Sequence, residues 1–157
     1  MIRKLLILSL YIMSLSSVAY AKNGHGRQQD GDKKDAENTA VGVKFVDGGW
    51  FDATSQAKKE GKPIFAFVWS KNCLESMRML EDVFTDKEIG DFFNENFINY
   101  KIDGNDIKNN MRVTAWGVNG LPTLIFFTPK RKMVLTKKGY HKNEDLIKVA
   151  KIALKKM

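Results

Sequence analysis

Residues 63–76 read PIFAFVWSKNCLES and carry the strongest structural signal in the chain. Residues 63–69 form an apolar run without a charge, which is typical of a central strand that is covered on both faces. Polar residues 70–72 interrupt the run, and from Cys73 onward apolar side chains recur at three- and four-residue spacing. This pattern predicts a buried strand that leads into a helix, with Cys73 at the junction.

Outward from this run, segments of strand and helix character alternate along the chain. Further strands are predicted at residues 43–46, 97–102, 124–127 and 133–135, the last two joined by a turn at 129–132. Further helices are predicted at residues 51–60 and 107–116. Two more are predicted from their caps: one begins at a capping box formed by Thr85 and Glu88, and the last begins at Asn143. Strands separated by helices favour an α/β fold with a mixed central sheet covered on both faces, and the hairpin adds antiparallel pairing.

The composition limits the chemistry that the chain can perform. It has 157 residues, enough for one domain with a sizeable core, and a single cysteine. One cysteine excludes an internal disulfide, a dithiol site and a cysteine-based zinc site, and neither histidine has partners at ligand spacing. The formal net charge is +8, but the basic runs carry no nucleic-acid-binding motif. We therefore expect no metal site, no cofactor and no nucleic-acid partner.

The beginning of the chain has the pattern of an export signal. Residues 1–4 carry two positive charges, residues 5–13 are apolar, and residues 19–21 read AYA, the small-x-small pattern that signal peptidases cleave. The apolar run is shorter than the roughly 20 residues that span a bilayer, so we expect cleavage and no stable membrane anchor. The predicted divisions are a signal peptide at residues 1–21, a flexible polar leader at 22–42 and a folded domain at 43–157. The sequence thus predicts an exported protein, periplasmic or secreted.

Cys73 is the strongest candidate for a chemically reactive residue. Unpaired N–H groups and the positive end of the dipole at a helix N-terminus favour the charged thiolate. An unpaired thiol in an oxidising compartment tends to pair with another molecule or to react. A structural cysteine packed as a small hydrophobe is the alternative, and spacing alone does not separate the two.

Several segments together resemble the thioredoxin-like fold. They are WFDATSQAKKEGKPI at residues 50–64, WSKNCLES at 69–76, FFNENFINYKID at 92–103 and GLPTLIFF at 120–127. The similarity covers about residues 43–156 and is greatest to bacterial exported thioredoxin-like proteins and to anterior-gradient-type disulfide isomerase homologues. It implies a thioredoxin-like three-layer α/β/α sandwich.

The resemblance also implies a site. Cys73 takes the place of the family's nucleophilic cysteine, and Ser76 stands where the second, resolving cysteine would be. The implied substrate-binding positions are Trp69, Asn72, Leu121, Pro122 and Thr123, of which Pro122 matches the proline that is cis in the family. Asn72 replaces the usual tryptophan before the nucleophile, and Phe67 stands where many relatives keep a buried acid.

These departures favour a monothiol mechanism over a thioredoxin-type reductase. Cys73 would attack a disulfide in another exported protein, Ser76 would donate a hydrogen bond to the thiolate, and the substrate's own thiol, a small thiol or a second redox protein would release the adduct. The alternative is a non-catalytic binding or chaperone-like module, for which Cys73 offers a way to dimerise. Because Ser76 and Asn72 favour the alternative while Cys73 and Pro122 favour the enzyme, catalysis remains open at this point.

Overall fold

A computed structural model describes residues 41–157. The predicted signal peptide at 1–21 and residues 22–40 of the predicted leader lie outside this range. Within the described range, no helix combines the length and the apolar character needed to cross a bilayer.

Residues 41–157 form four strands and five α-helices. The strands are β1 (Ile64–Trp69), β2 (Ile98–Asp103), β3 (Thr123–Phe127) and β4 (Met133–Lys138). The helices are α1 (Trp50–Glu60), α2 (Leu74–Arg78), α3 (Lys87–Asn96), α4 (Asn110–Ala115) and α5 (Asn143–Lys155). A π-helical turn at Met79–Val83 continues α2, and a 3₁₀ turn at Ile107–Asn109 precedes α4.

The sheet is mixed and has the strand order β2-β1-β3-β4. Strand β1 runs parallel to β2 and antiparallel to β3, and β3 forms the expected hairpin with β4. The pairing of β3 with β4 contains a register shift between Phe126 and Phe127. The predicted mixed sheet and hairpin are therefore confirmed.

Two apolar clusters cover the two faces of the sheet. Phe65 and Phe67 point from β1 into a cluster that includes residues of α3 and α5, whereas Ile64, Ala66 and Val68 point into a cluster beneath α1. All five of these side chains are fully buried, because a strand at the centre of a sheet that is covered by helices on both faces has no face open to water. The three-layer α/β/α sandwich is confirmed.

The predicted strand at residues 43–46 is wrong in extent. It is reduced to a single parallel bridge between Phe45 and Asn99. The backbone N–H of Lys44 donates to the side-chain oxygen of Asn94 at 2.8 Å, so a side chain satisfies a group that a longer ladder would use.

Three helix starts also differ from the sequence prediction. Asp86, not Thr85, caps α3, because its carboxylate accepts from the Ile89 N–H at 3.0 Å. The Thr85 hydroxyl instead donates to the Glu81 carbonyl oxygen at 2.6 Å, so the predicted capping box does not form. Asn143 is the first residue of α5 rather than its cap. The predicted helix at 107–116 is divided into the 3₁₀ turn and α4.

Helix α3 packs unusually close to the backbone at Gly42. A Cβ added at Gly90 would overlap the carbonyl group and Cα of Gly42, which cannot move aside as a flexible side chain could. We expect Gly90→Ala to lower the free energy of unfolding by about 1–3 kcal/mol, measured by urea denaturation. Gly49→Ser is the control, because its Cβ would lie 3.8 Å from the nearest atom. A gain of about 1 kcal/mol, which alanine normally brings to a helix, would contradict this packing.

Candidate active site

Strand register brings three segments to one edge of the sheet, which we call the thiol edge: residues 69–73, 103–105 and 120–122. Trp69 at the end of β1 pairs with Asp103 of β2, and Val68 pairs with Thr123 of β3. Pro122, which precedes Thr123, therefore lies level with Trp69. Cys73 follows Trp69 by four residues, so the thiol and the proline belong to the same edge.

Cys73 is the N-cap residue of α2 and is partly buried. Its backbone N–H donates to the Ser70 carbonyl oxygen at 3.0 Å, and its own carbonyl oxygen accepts from the Met77 N–H at 3.1 Å. The first bond closes a tight turn after β1, and the second begins the helix. The predicted position of Cys73 at a strand-to-helix junction is thus confirmed, and the residue is partly exposed.

Ser76 does not make the hydrogen bond that the sequence predicts. Its side chain is fully buried, and its Oγ has no hydrogen-bond partner among residues 41–157, the Cys73 sulfur included. The predicted donation to the thiolate is therefore not present in this structure. Ser76 is the buried residue of α2, whose other residues are exposed or partly exposed.

Removing the unpartnered hydroxyl is expected to stabilise the fold. A buried hydroxyl without a partner costs about 1–3 kcal/mol, and alanine is the better helix former. We expect Ser76→Ala to raise the free energy of unfolding by about 1 kcal/mol, measured by urea denaturation. Ser55→Ala on the exposed face of α1 is the control and should change it by no more than the helix propensity difference. A clear loss of stability in Ser76→Ala would mean that the hydroxyl has a partner.

The predicted substrate-binding residues differ in how accessible they are. Asn72 is exposed and Trp69 is partly buried against the α3 and α5 cluster. The Leu121–Pro122 peptide is cis, and both Pro122 and Thr123 are buried. The Thr123 hydroxyl donates to the Gly120 carbonyl oxygen at 2.6 Å and is thus used within its own loop.

The sequence analysis missed a polar contact that ties two parts of the thiol edge together. Ser70 is 1% exposed, and its Oγ accepts from the Asn105 side-chain amide at 2.9 Å and from the Asn72 N–H at 3.3 Å. Nearby, the Gly104 N–H donates to the Trp69 carbonyl oxygen at 2.7 Å. Ser70 comes directly after β1 and Asn105 comes two residues after β2, and polar residues just beyond the ends of parallel strands were the signal available in the sequence.

The loop between β4 and α5 also reaches the thiol edge. The Gly139 N–H donates to the Pro122 carbonyl oxygen at 2.8 Å, and His141 Nδ1 lies 2.9 Å from the Gly139 carbonyl oxygen. No sequence motif linked His141 to the cysteine, since they are far apart in the chain. The structure places the start of its loop beside Pro122.

Two other features bear on the chemistry of the domain. Burial raises the pKa of Tyr100, and the charge of nearby Arg112 partly offsets this effect. Tyr100 packs against Trp50 beneath α1, so it is not part of the thiol edge. Within residues 41–157, no three His, Cys, Asp or Glu side chains lie together as a metal site would require. The thiol edge therefore offers one thiol, a cis proline and backbone polar groups.

Solved structures similar to this one include a candidate disulphide-isomerase from Bacteroides thetaiotaomicron. It shares 26% sequence identity and a TM-score of 0.66, over 75% of this chain and 98% of that one. A thioredoxin from Thermus thermophilus matches with 17% identity and a TM-score of 0.64, over 73% of this chain and 90% of the other. A protein described as DsbH oxidoreductase matches with 19% identity and a TM-score of 0.62, over 85% of this chain and 95% of the other. The last two likenesses concern the fold alone.

Sequence comparisons identify a family. A segment of 52 residues is 42% identical to Spermatogenesis-associated protein 20 of Rattus norvegicus, although the match spans only 33% of this chain and 7% of that protein. The family model described as a thioredoxin-like domain matches residues 50–153, which include all four strands and the cysteine. The chain belongs to the thioredoxin-like domain family.

Proposed function

We propose that the protein is an exported thiol-disulfide exchange protein that works with one reactive cysteine and acts on other exported proteins. One observation carries the proposal: the partly accessible Cys73 and the cis Pro122 share the thiol edge. The likeness to a candidate disulphide-isomerase supports the same class of chemistry. The export signal predicted at residues 1–21 supports the periplasm or the exterior as the compartment.

The reaction begins with attack by the Cys73 thiolate on a disulfide of the substrate. One substrate sulfur forms a new bond to the Cys73 sulfur, the substrate S–S bond breaks, and the other substrate sulfur leaves as a thiolate. No net oxidation or reduction has occurred, because one disulfide has replaced another.

Release of the adduct requires a thiol that this chain does not supply. Ser76 has no sulfur, so a second thiolate must come from the substrate itself, from a small thiol or from a second redox protein. If the substrate supplies it, a new substrate disulfide forms, Cys73 is regenerated, and the net reaction is isomerisation. This balance favours an isomerase-like or trapping role over that of a reductase.

The loop before β3 can hold an extended substrate segment. Within residues 41–157, neither the N–H nor the carbonyl oxygen of Leu121 takes part in a hydrogen bond outside the regular strands and helices. Both groups lie beside Pro122 at the thiol edge, where a substrate backbone could pair with them as an added strand. No nucleic acid and no membrane anchor enter this proposal.

The experiment is a trapping assay under non-reducing conditions. Wild-type protein and Cys73→Ala are each incubated with a substrate protein that contains scrambled disulfides. The reactions are quenched with an alkylating agent and compared on gels. We expect thiol-sensitive adducts in the wild type and none in Cys73→Ala. If the wild type forms no adducts and native Cys73 resists alkylation, the exchange function is wrong.

A second candidate function is a non-catalytic binding module that uses the face around Pro122. The observation that favours it is the burial of Ser76 without a hydrogen bond to the Cys73 sulfur, which leaves the thiol without the predicted side-chain donor. In that case Cys73→Ala would bind unfolded proteins as well as the wild type does, and native Cys73 would react with alkylating agents no faster than an ordinary thiol.

A further inference from the structure

A groove of about 680 Å³ lies between the outer face of α1 and the turn that joins β3 to β4. We call it the basic groove. Phe51 and Lys58 line it from α1, and Pro129, Lys130 and Arg131 line it from the turn. The function proposed for Cys73 does not use any of these residues.

The charges in the basic groove have one sign. Its three ionisable side chains, Lys58, Lys130 and Arg131, are all cations. None of them has a carboxylate oxygen within 4.0 Å in the part of the chain from residue 41 onward, whereas lysines elsewhere on the domain do. Three neighbouring cations without counter-charges favour an anionic occupant.

The basic groove also contains an exposed aromatic side chain. Phe51 is 79% exposed, although its neighbour Trp50 packs against Phe127 and Trp116 in the interior. Phe51 belongs to neither apolar cluster of the domain. Together with Pro129 it gives the groove an apolar part. A small anion would not contact this apolar part, whereas a peptide with an apolar side chain would.

Arg131 occupies a backbone conformation that disfavours it. Its φ is 67°, in the left-handed region where glycine or asparagine fits better. The turn is fixed by the Arg131 N–H donating to the Thr128 carbonyl oxygen, and by the Thr128 N–H donating to the Lys132 carbonyl oxygen, both at 2.8 Å. The turn would therefore form at least as well with glycine, and the arginine side chain adds charge to the groove rather than stability to the fold.

The basic groove lies at the opposite end of the sheet from the thiol edge. Phe127, which precedes the turn, pairs with Ile64 at the start of β1, while Cys73 follows the end of β1. Six residues of strand separate the two ends, or about 20 Å. A molecule held in the groove would leave Cys73 free.

We propose that the basic groove binds an acidic segment of a partner protein, with an apolar side chain of that segment packed against Phe51 and Pro129. Charge complementarity with the three cations selects the acidic segment, and the exposed Phe51 selects the apolar side chain. The proposal is independent of thiol chemistry, so the trapping assay and the binding assay below can fail separately.

The test measures binding of the full chain to a short fluorescent peptide of glutamates around one phenylalanine. We expect Arg131→Gly to weaken binding about tenfold while the protein unfolds at the same or a higher urea concentration, because glycine suits the backbone. Phe51→Ala should weaken it similarly. Lys155→Gln, an exposed cation on α5, is the matched control and should bind as the wild type does.

Three further arms decide the result. A peptide with glutamine in place of glutamate should not bind, and binding should weaken between 0.1 M and 1 M salt as screening lengths fall from about 10 Å to about 3 Å. Replacing Asp30, Asp32 and Asp35 by asparagine and Glu37 by glutamine should leave the affinity for the acidic peptide unchanged. A tenfold gain there would assign the groove to this chain's own acidic residues and overturn the proposal, as would wild-type affinity in Arg131→Gly.

Discussion

Replacing Ser76 by cysteine is expected to shorten the lifetime of the mixed disulfides that we propose for Cys73. Cys73 and residue 76 are three apart at the start of α2, so their side chains lie on neighbouring positions of one helix face, within the Cα separation that a disulfide needs. The new thiol would attack the mixed disulfide from within the molecule. An intramolecular thiol acts at a high effective concentration, so we expect trapped adducts to decay at least about a hundredfold faster than in the wild type.

The measurement is the lifetime of adducts on non-reducing gels, with mass spectrometry of the released protein. Ser76→Cys should appear two hydrogens lighter after release, because Cys73 and the new cysteine have formed a disulfide. Ser55→Cys is the control, since it adds a thiol on the exposed face of α1 away from Cys73. Adducts that persist equally in both variants would mean that residue 76 cannot reach the sulfur of Cys73.

Placing at position 67 the buried acid that many relatives keep is expected to destabilise the domain strongly. Phe67 is fully buried at the centre of β1, and its ring meets that of Phe84 edge-on with centroids 4.8 Å apart. Phe67→Asp would remove this packing, at a cost of about 3–5 kcal/mol, and would bury a carboxyl group among aromatic rings. A domain of this size has about 5–15 kcal/mol of stability in total, so most of it would be lost.

Urea denaturation followed by circular dichroism measures this loss, which we expect to be at least about 4 kcal/mol. Phe67→Leu keeps an apolar side chain and should cost about 1–2 kcal/mol. A stable Phe67→Asp would show that water or a polar partner reaches position 67. The two departures from the dithiol pattern therefore differ: the one at Ser76 can be reversed by one substitution, and the one at Phe67 is held by the core around it.

The sequence predicted the sheet well because its signals are local. The apolar run at residues 63–69 has no charge to place on a surface, and the two strands of the hairpin are separated by a short polar turn. Each of these patterns fixes one element without knowledge of the others. The placement of Cys73 beside Pro122 came from the resemblance to the thioredoxin-like fold, since no local pattern connects residues so far apart.

The features that the sequence analysis missed depend on contacts between distant residues. The Asn94 side chain accepts a hydrogen bond from the Lys44 N–H, 50 positions away in the chain, and the predicted strand is shorter there. The Asn105 side chain donates a hydrogen bond to Ser70, 35 positions away. Hydrogen bonds that side chains make over such separations leave no periodic pattern in the sequence.

The register shift in the β3–β4 pairing has a consequence for how the protein behaves when it is concentrated. Strand β4 is the outer strand on its side of the sheet, and its unpaired backbone groups could template another copy. The bulge between Phe126 and Phe127 bends this margin, and Lys137 and Lys138 stand exposed along it. A second copy approaching β4 edge to edge would set lysines against lysines, so this margin resists fibril growth and accidental strand exchange.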